Sequence, residues 1–209
     1  MSLNLQLIDL IVAYLMGSIP SAVWIGRIFY HTDIREYGSG NAGATNTFRV
    51  LGKKAGIPVL LIDILKGLAA VQLPYLSELI PGSVPFVNLQ LVLGVAALFG
   101  HIFPIFASFK GGKGIATLVG IILAVHPCAA LVSIAFFFVV FLISHYVSLS
   151  SITAAITFPI VVIVVFKTQI PSLVIFSMVI AVLVLITHQK NIERLIRNEE
   201  SKSHLVKKK

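Results

Sequence analysis

Seven apolar stretches dominate this chain, over residues 5–29, 55–75, 86–106, 115–125, 129–146, 152–166 and 173–187. Segments so poor in charge belong in hydrocarbon, where each backbone N–H and C=O must find a partner inside its own segment, and for a single stretch only a helix achieves that. The expected fold is therefore all-α, a polytopic integral membrane helical bundle with about seven transmembrane helices. With 57% hydrophobic and 11% charged residues, the composition excludes an ordinary water-soluble domain. "MSLNLQLIDL" lacks the basic start and small-residue cleavage site of a signal peptide, so the first stretch is kept as a span. From 115 to 146 the apolar character is nearly continuous over 32 residues, whereas one span needs about 20. The break falls at "AVHPCA", where Pro127 removes a helix donor and disfavours helix at His126. No repeat, low-complexity tract or linker divides the chain, so residues 1–209 read as one domain.

In a soluble protein a net charge of +8 would raise nucleic acid as a partner, but the placement of the cations points to topology. If each stretch crosses once, the first, third and fifth connections and the C-terminal tail share one side. That side carries fourteen cations: Arg27, Arg35, Arg49, Lys53, Lys54, Lys110, Lys113, Lys190, Arg194, Arg197, Lys202, Lys207, Lys208 and Lys209. The other side has Lys167 alone, and Lys66 falls within the second stretch. The positive-inside rule then puts the N-terminus outside and the tail in the cytoplasm. The single cysteine, Cys128, lies in an apolar stretch and offers no disulfide framework or cysteine-based metal site. His31, His126 and His145 are scattered near span ends without metal-ligand spacing, so no metal and no cofactor are expected.

"GSGNAGATN" at 38–46 contains Gly-x-Gly-x-x-Gly, yet "TDIREY" precedes it where a dinucleotide-binding loop needs a buried strand. "FKGGKGIAT" at 109–117 imitates a phosphate loop, but Lys113 is followed by Gly114 instead of Ser or Thr. Neither is a nucleotide motif. Both share a simpler property: glycines let successive amides turn toward one concave point, and nearby cations add charge there, which suits phosphate. They serve either as plain turns with topology-setting lysines or as an anion site. Ser39, Asn41, Thr45, Asn46 and Thr117 among the glycines favour the anion site.

A third polar cluster, "THQKNIERLIR", closes the last stretch. Cations suit a helix end, which accounts for Arg194 and Arg197. His188 and Asn191, three apart and expected on one helix face at interface depth, fit a phosphate contact or an acid–base group. Asp63 and Lys66 are charges within an apolar helix, either an i, i+3 ion pair supporting the loops or a substrate contact. His101 in "GHIFP" is expected to support a loop by hydrogen bonding.

In order and spacing, "GSGNAGATNTFRVLGKKAG", "GHIFPIFASFKGGKGIAT" and "HQKNIERL" resemble the three motifs of the bacterial acyl-phosphate:glycerol-3-phosphate acyltransferases, and length and hydropathy extend the resemblance over essentially the whole chain. Two departures stand in the third motif: Gln189 where the family usually has Arg, and Asn198 where Gly is expected. Asn can supply the left-handed conformation of a glycine helix end. The resemblance implies transfer of a fatty acyl group from acyl phosphate to the 1-hydroxyl of sn-glycerol 3-phosphate, at the cytoplasmic face of the bacterial inner membrane. The partners implied are those two substrates and membrane lipids, with no nucleic acid and no nucleotide. It places Ser39, Asn41, Arg49, Lys110 and His188 in catalytic roles. Substrate binding falls to Gly38, Gly40, Gly43, Thr45 and Asn46 of the first motif, Gly111, Gly112, Lys113 and Gly114 of the second, and Asn191 of the third.

An acyl phosphate is a mixed anhydride and needs no protein nucleophile. The sequence agrees: Ser39 stands in Gly-Ser-Gly, outside a Gly-x-Ser-x-Gly elbow. No His-x4-Asp pair is present either, since Phe106 lies five positions after His101 and Glu193 five after His188. Either His188 or a substrate phosphate is left to accept the proton. The competing class is an anion transporter or channel, which would be expected to carry inverted repeats with broken helices meeting at the midplane.

Overall fold

The computed structural model describes residues 3–203, so Lys207, Lys208 and Lys209 lie outside the described residues. Among the described residues every regular element is helical. Two compact units form, Met1–Val125 and His126–Lys209.

In the first unit, α1 (Leu3–Gly17) and α2 (Ser21–Tyr30) divide the first apolar stretch, which the sequence had read as one span. The pair bends by 42° at the break. Pro20 stands at the start of α2, where its missing N–H costs no helical bond. The short helix α3 (Ala44–Leu51) leads through Gly52 into α4 (Lys53–Ala70), which carries Asp63 and Lys66. α5 (Val84–Ile102) starts at a Ser83 cap, and α6 (Ile115–Val125) follows the second glycine loop. α1 packs on α5 and α4 on α6. The second contact is at backbone distance: a Cβ at Gly67 would run into the Thr117 carbonyl, and one at Gly120 into that of Ile64. Small residues permit such approach between apolar helices, and here it fixes the start of α6 against the charged face of α4.

The second unit begins at the break expected from "AVHPCA". His126 caps α7 (Pro127–Ser144), its Nδ1 accepting from the Ala129 amide at 3.2 Å. α8 (Val147–Ile160) runs on through a π turn at Val161–Val165 that follows Pro159. α9 (Pro171–Thr187) is succeeded by α10 (Gln189–Ile196), bent from it by 61°. α7 packs on α8 and α8 on α9. Leu142 and Ile143 of α7 remain exposed, as lipid contact allows. Three helical stretches, Val84–Ala107, Pro127–Ser144 and Val147–Val165, are long and apolar enough to cross a membrane, or five if each bent pair is one span.

Candidate active site

The first motif is built around a staple. Asn46, buried on α3, accepts from the Ser39 amide through Oδ1 at 2.9 Å and donates through Nδ2 to the carbonyls of Ile34 and Tyr37, both at 3.0 Å. Gly38 and Gly40 take positive φ to make this turn possible. Asn46, expected to bind substrate, thus has its side-chain amide engaged by the loop. What the staple presents outward is Ser39 with Thr45 and Arg49, all exposed, the last two one turn apart on α3. Asn41 is half-buried, with Gly43 beside its Oδ1.

Before this loop, Asp33 bridges Arg27 and Arg35, each at 2.8 Å. The hydrogen bonds from Arg35 hold the Asp33 carboxyl well below the usual carboxylate range and raise the Arg35 guanidinium above its own. Arg35 then donates to the Ala107 carbonyl at 2.9 Å, tying the first motif to the second.

The second motif turns sharply after α5. Ser108 and Phe109 are both left-handed, an unusual state for a bulky residue, and the Phe109 amide donates to Pro104 at 2.9 Å. Lys110 is exposed beyond it. Gly111 and Gly112 were expected to offer their amides to phosphate. Instead the Gly111 amide donates to the Ile102 carbonyl and that of Gly112 to His101, both at 3.2 Å, closing the end of α5. Lys113 is half-buried, and α6 opens directly after Gly114. The glycines are needed for closeness, since a Cβ at Gly112 would meet His101 Nε2 and lie 3.1 Å from the Ala42 carbonyl.

Ala42 belongs to the first motif, so the two glycine loops touch. Beneath them a cavity is lined by Ala42, Gly111, Ser21, Asp63, Lys66 and His101, among others. Asp63 and Lys66 form the expected i, i+3 ion pair at 2.8 Å, fully inside the bundle. His101 supports the loop as expected, with Nδ1 3.0 Å from Thr117 Oγ1. Thr117 is buried there.

In the second unit, α9 ends at Thr187, so His188 occupies the bend and Asn191 the first turn of α10. One continuous helix face, as the sequence suggested, does not carry both. His188 Nδ1 lies 2.9 Å from the Val184 carbonyl, which can only accept, so Nδ1 is the donor there. Asn198 has φ 57°, the left-handed state expected where the family has Gly. The chain turned by it returns Glu200, a residue for which the sequence offered no signal. Its carboxylate accepts from Ser148 at 2.8 Å, Asn191 at 2.6 Å and Arg194 at 2.7 Å. Burial pushes the Glu200 carboxyl up, but the donors led by Arg194 outweigh it and leave it below the ordinary range. Among the described residues no group of His, Cys, Asp and Glu could hold a metal ion.

Comparison with known proteins agrees with this arrangement of motifs. The sequence model of the family described as "Glycerol-3-phosphate acyltransferase" matches residues 7–198. The Enterococcus faecalis glycerol-3-phosphate acyltransferase is 46% identical over 200 residues, covering 92% of this chain and 89% of its own length. That of Listeria monocytogenes strain EGD-e is 45% identical over 202 residues, covering 97% and 98%. The fold is similar to the crystal structure of PlsY, an integral membrane glycerol 3-phosphate acyltransferase, in its glycerol 3-phosphate form, with a TM-score of 0.83, 36% identity and 95% of each chain covered. Its lysophosphatidic acid form gives a TM-score of 0.81 at 35% identity over 94% of each chain. With its motifs, its helices and nearly its whole length matched, this membrane protein belongs to the glycerol-3-phosphate acyltransferase family.

Proposed function

We propose that the two contiguous glycine loops form the centre of an acyltransferase site, where the 1-hydroxyl of sn-glycerol 3-phosphate attacks the carbonyl of an acyl phosphate. The carbon–oxygen bond to the glycerol forms as that to phosphate breaks, giving 1-acylglycerol 3-phosphate and inorganic phosphate. The closeness of Gly112 to the Ala42 carbonyl supports this reading, because it joins the loop that carries Ser39, Thr45 and Arg49 to the loop that carries Lys110 and Lys113.

Two anionic substrates must be held together, and cations offset their repulsion. Arg49 suits bidentate phosphate recognition, whereas the lysines act as point charges. Ser39 and Asn41 supply neutral donors. The Gly111–Gly114 segment shapes the glycerol phosphate cradle through its closeness to α5, with Lys113 and the start of α6 as donors. Because the leaving group is already activated, orientation and charge account for most of the rate. His188 and Asn191 are assigned to the same reaction by the third motif, with His188 Nε2 or a substrate phosphate taking the hydroxyl proton.

The protein acts as one domain over residues 1–209, with seven spans, the N-terminus outside and the C-terminus cytoplasmic, in the bacterial inner membrane. The charge distribution supports this topology, with both glycine loops on the cation-rich, cytoplasmic side. The deciding experiment gives purified protein acyl phosphate and glycerol 3-phosphate. Equimolar phosphate and lysophosphatidic acid are expected; anion flux across liposomes without lipid product would reject the reading.

A further inference from the structure

Asp63 lies on α4 and is 1% exposed, and side chains of α2 and α5 converge on it together with Lys66 of its own helix. Its Oδ1 accepts from Ser21 at the start of α2 and from Lys66 on α4, both at 2.8 Å, and stands 3.6 Å from His101 Nδ1 on α5. Lys66 donates in turn to the Ile19 carbonyl at the α1–α2 break, at 2.8 Å. The remaining oxygen, Oδ2, takes no donor among the described residues, and Asp63 lines the cavity under both glycine loops.

A buried ion pair is a poor stabiliser, since removing two charges from water costs about as much as their attraction returns, and apolar replacements of similar volume do as well or better. Stability alone therefore does not account for this cluster, and charges kept at such depth belong with function. Its geometry indicates which function. Thr117 holds the His101 ring at Nδ1, with the Asp63 carboxylate 3.6 Å from the same atom, and Nε2 faces the Cα of Gly112. The carbonyl of the same histidine accepts the Gly112 amide. Ring and main chain of His101 thus clamp one peptide of the cradle from two directions.

We propose that Asp63 is a positioning residue for glycerol 3-phosphate, acting through the His101 ring to set the Gly111–Gly114 cradle against the first motif. This rests on the assignment of that segment as the cradle. A cradle held in register contributes equally to ground and transition states, so its loss raises KM and spares kcat.

The test replaces both charges at once, as Asp63→Asn with Lys66→Met, to avoid leaving one buried charge alone. In detergent this variant is expected to keep its melting temperature, raise KM for glycerol 3-phosphate about tenfold and change KM for acyl phosphate less than about twofold. His101→Gln, costly in the parent, should add little in that background, since the two act as a unit. A folded double variant with the parent KM would overturn the proposal. Should the double variant not fold, Thr117→Val decides: it frees the ring without touching a charge and should raise the same KM about threefold, while an unchanged KM rejects positioning. Gly112→Ala serves as the separate check, because an unchanged KM for glycerol 3-phosphate there would remove the cradle assignment itself.

Discussion

Asn46 is the residue at which a ligand contact and a loop staple make opposite demands. In Asn46→Ala the loop loses three hydrogen bonds, leaving the Ser39 amide and the Ile34 and Tyr37 carbonyls without these partners. At a net value of about 1 kcal/mol per bond the cost is ~3 kcal/mol, on the order of a hundredfold in the ratio of ordered to disordered loop. The loss is local, since the loop can open while the helices hold. Hydrogen exchange at Ser39 and Gly40 should accelerate by about that factor, with protease cleavage appearing between Tyr37 and Asn41. Activity should fall because Ser39 and Arg49 lose their common frame, and kcat should drop along with affinity for both substrates. Asn46→Asp should fare no better, because a carboxylate would face two carbonyls. The reasoning is refuted if either variant keeps parental exchange rates and changes only KM for glycerol 3-phosphate.

Other expectations follow from the same geometry. Ser39→Ala, Arg49→Ala and Lys110→Ala should each lower turnover about 100-fold, the scale of losing one group that stabilises developing charge, with unchanged helicity and melting temperature; near-normal rates in folded variants would count against their roles. Glu200→Ala should cost on the order of 2–3 kcal/mol, by removing the acceptor shared by Ser148, Asn191 and Arg194, measured by thermal unfolding in detergent. The folded-state carboxyls of Asp33 and Glu200 both lie below their unfolded values. As pH falls the unfolded chain therefore takes up protons first, so stability is held above the ordinary carboxylate range of about 4 and lost below it. Glu200→Gln should flatten that acid loss, and an unaltered acid limb would show that Glu200 does not contribute to it.

The fold was legible wherever one local rule acted alone. Apolar length gave the helices, Pro127 gave the break before α7, and Asn198 gave the left-handed turn after α10. The bend in the first apolar stretch had a signal as well, in Gly17 and Pro20, but uniform hydropathy masked it. The end of the last stretch was misread for a similar reason. "THQKNIERL" suits a helix throughout, yet α9 and α10 meet at a 61° bend at His188.

The site was less legible because its chemistry depends on which polar groups are already satisfied. Sequence offers Gly111 and Gly112 as amide donors, yet the unpaired carbonyls at the end of α5 lie within reach and take those amides first. The same competition ties the Asn46 side chain to the loop, and lets Glu200 bind Asn191 from nine residues away. Each polar group has a fixed capacity, and one buried away from water must take an internal partner. On the proposed reading, the anion contacts fall instead to the exposed side chains of Ser39, Arg49 and Lys110. That assignment predicts that Arg49→Lys, which keeps the charge but loses the planar fork, retains binding better than turnover. Equal loss of both would mean that Arg49 acts as a plain counter-charge.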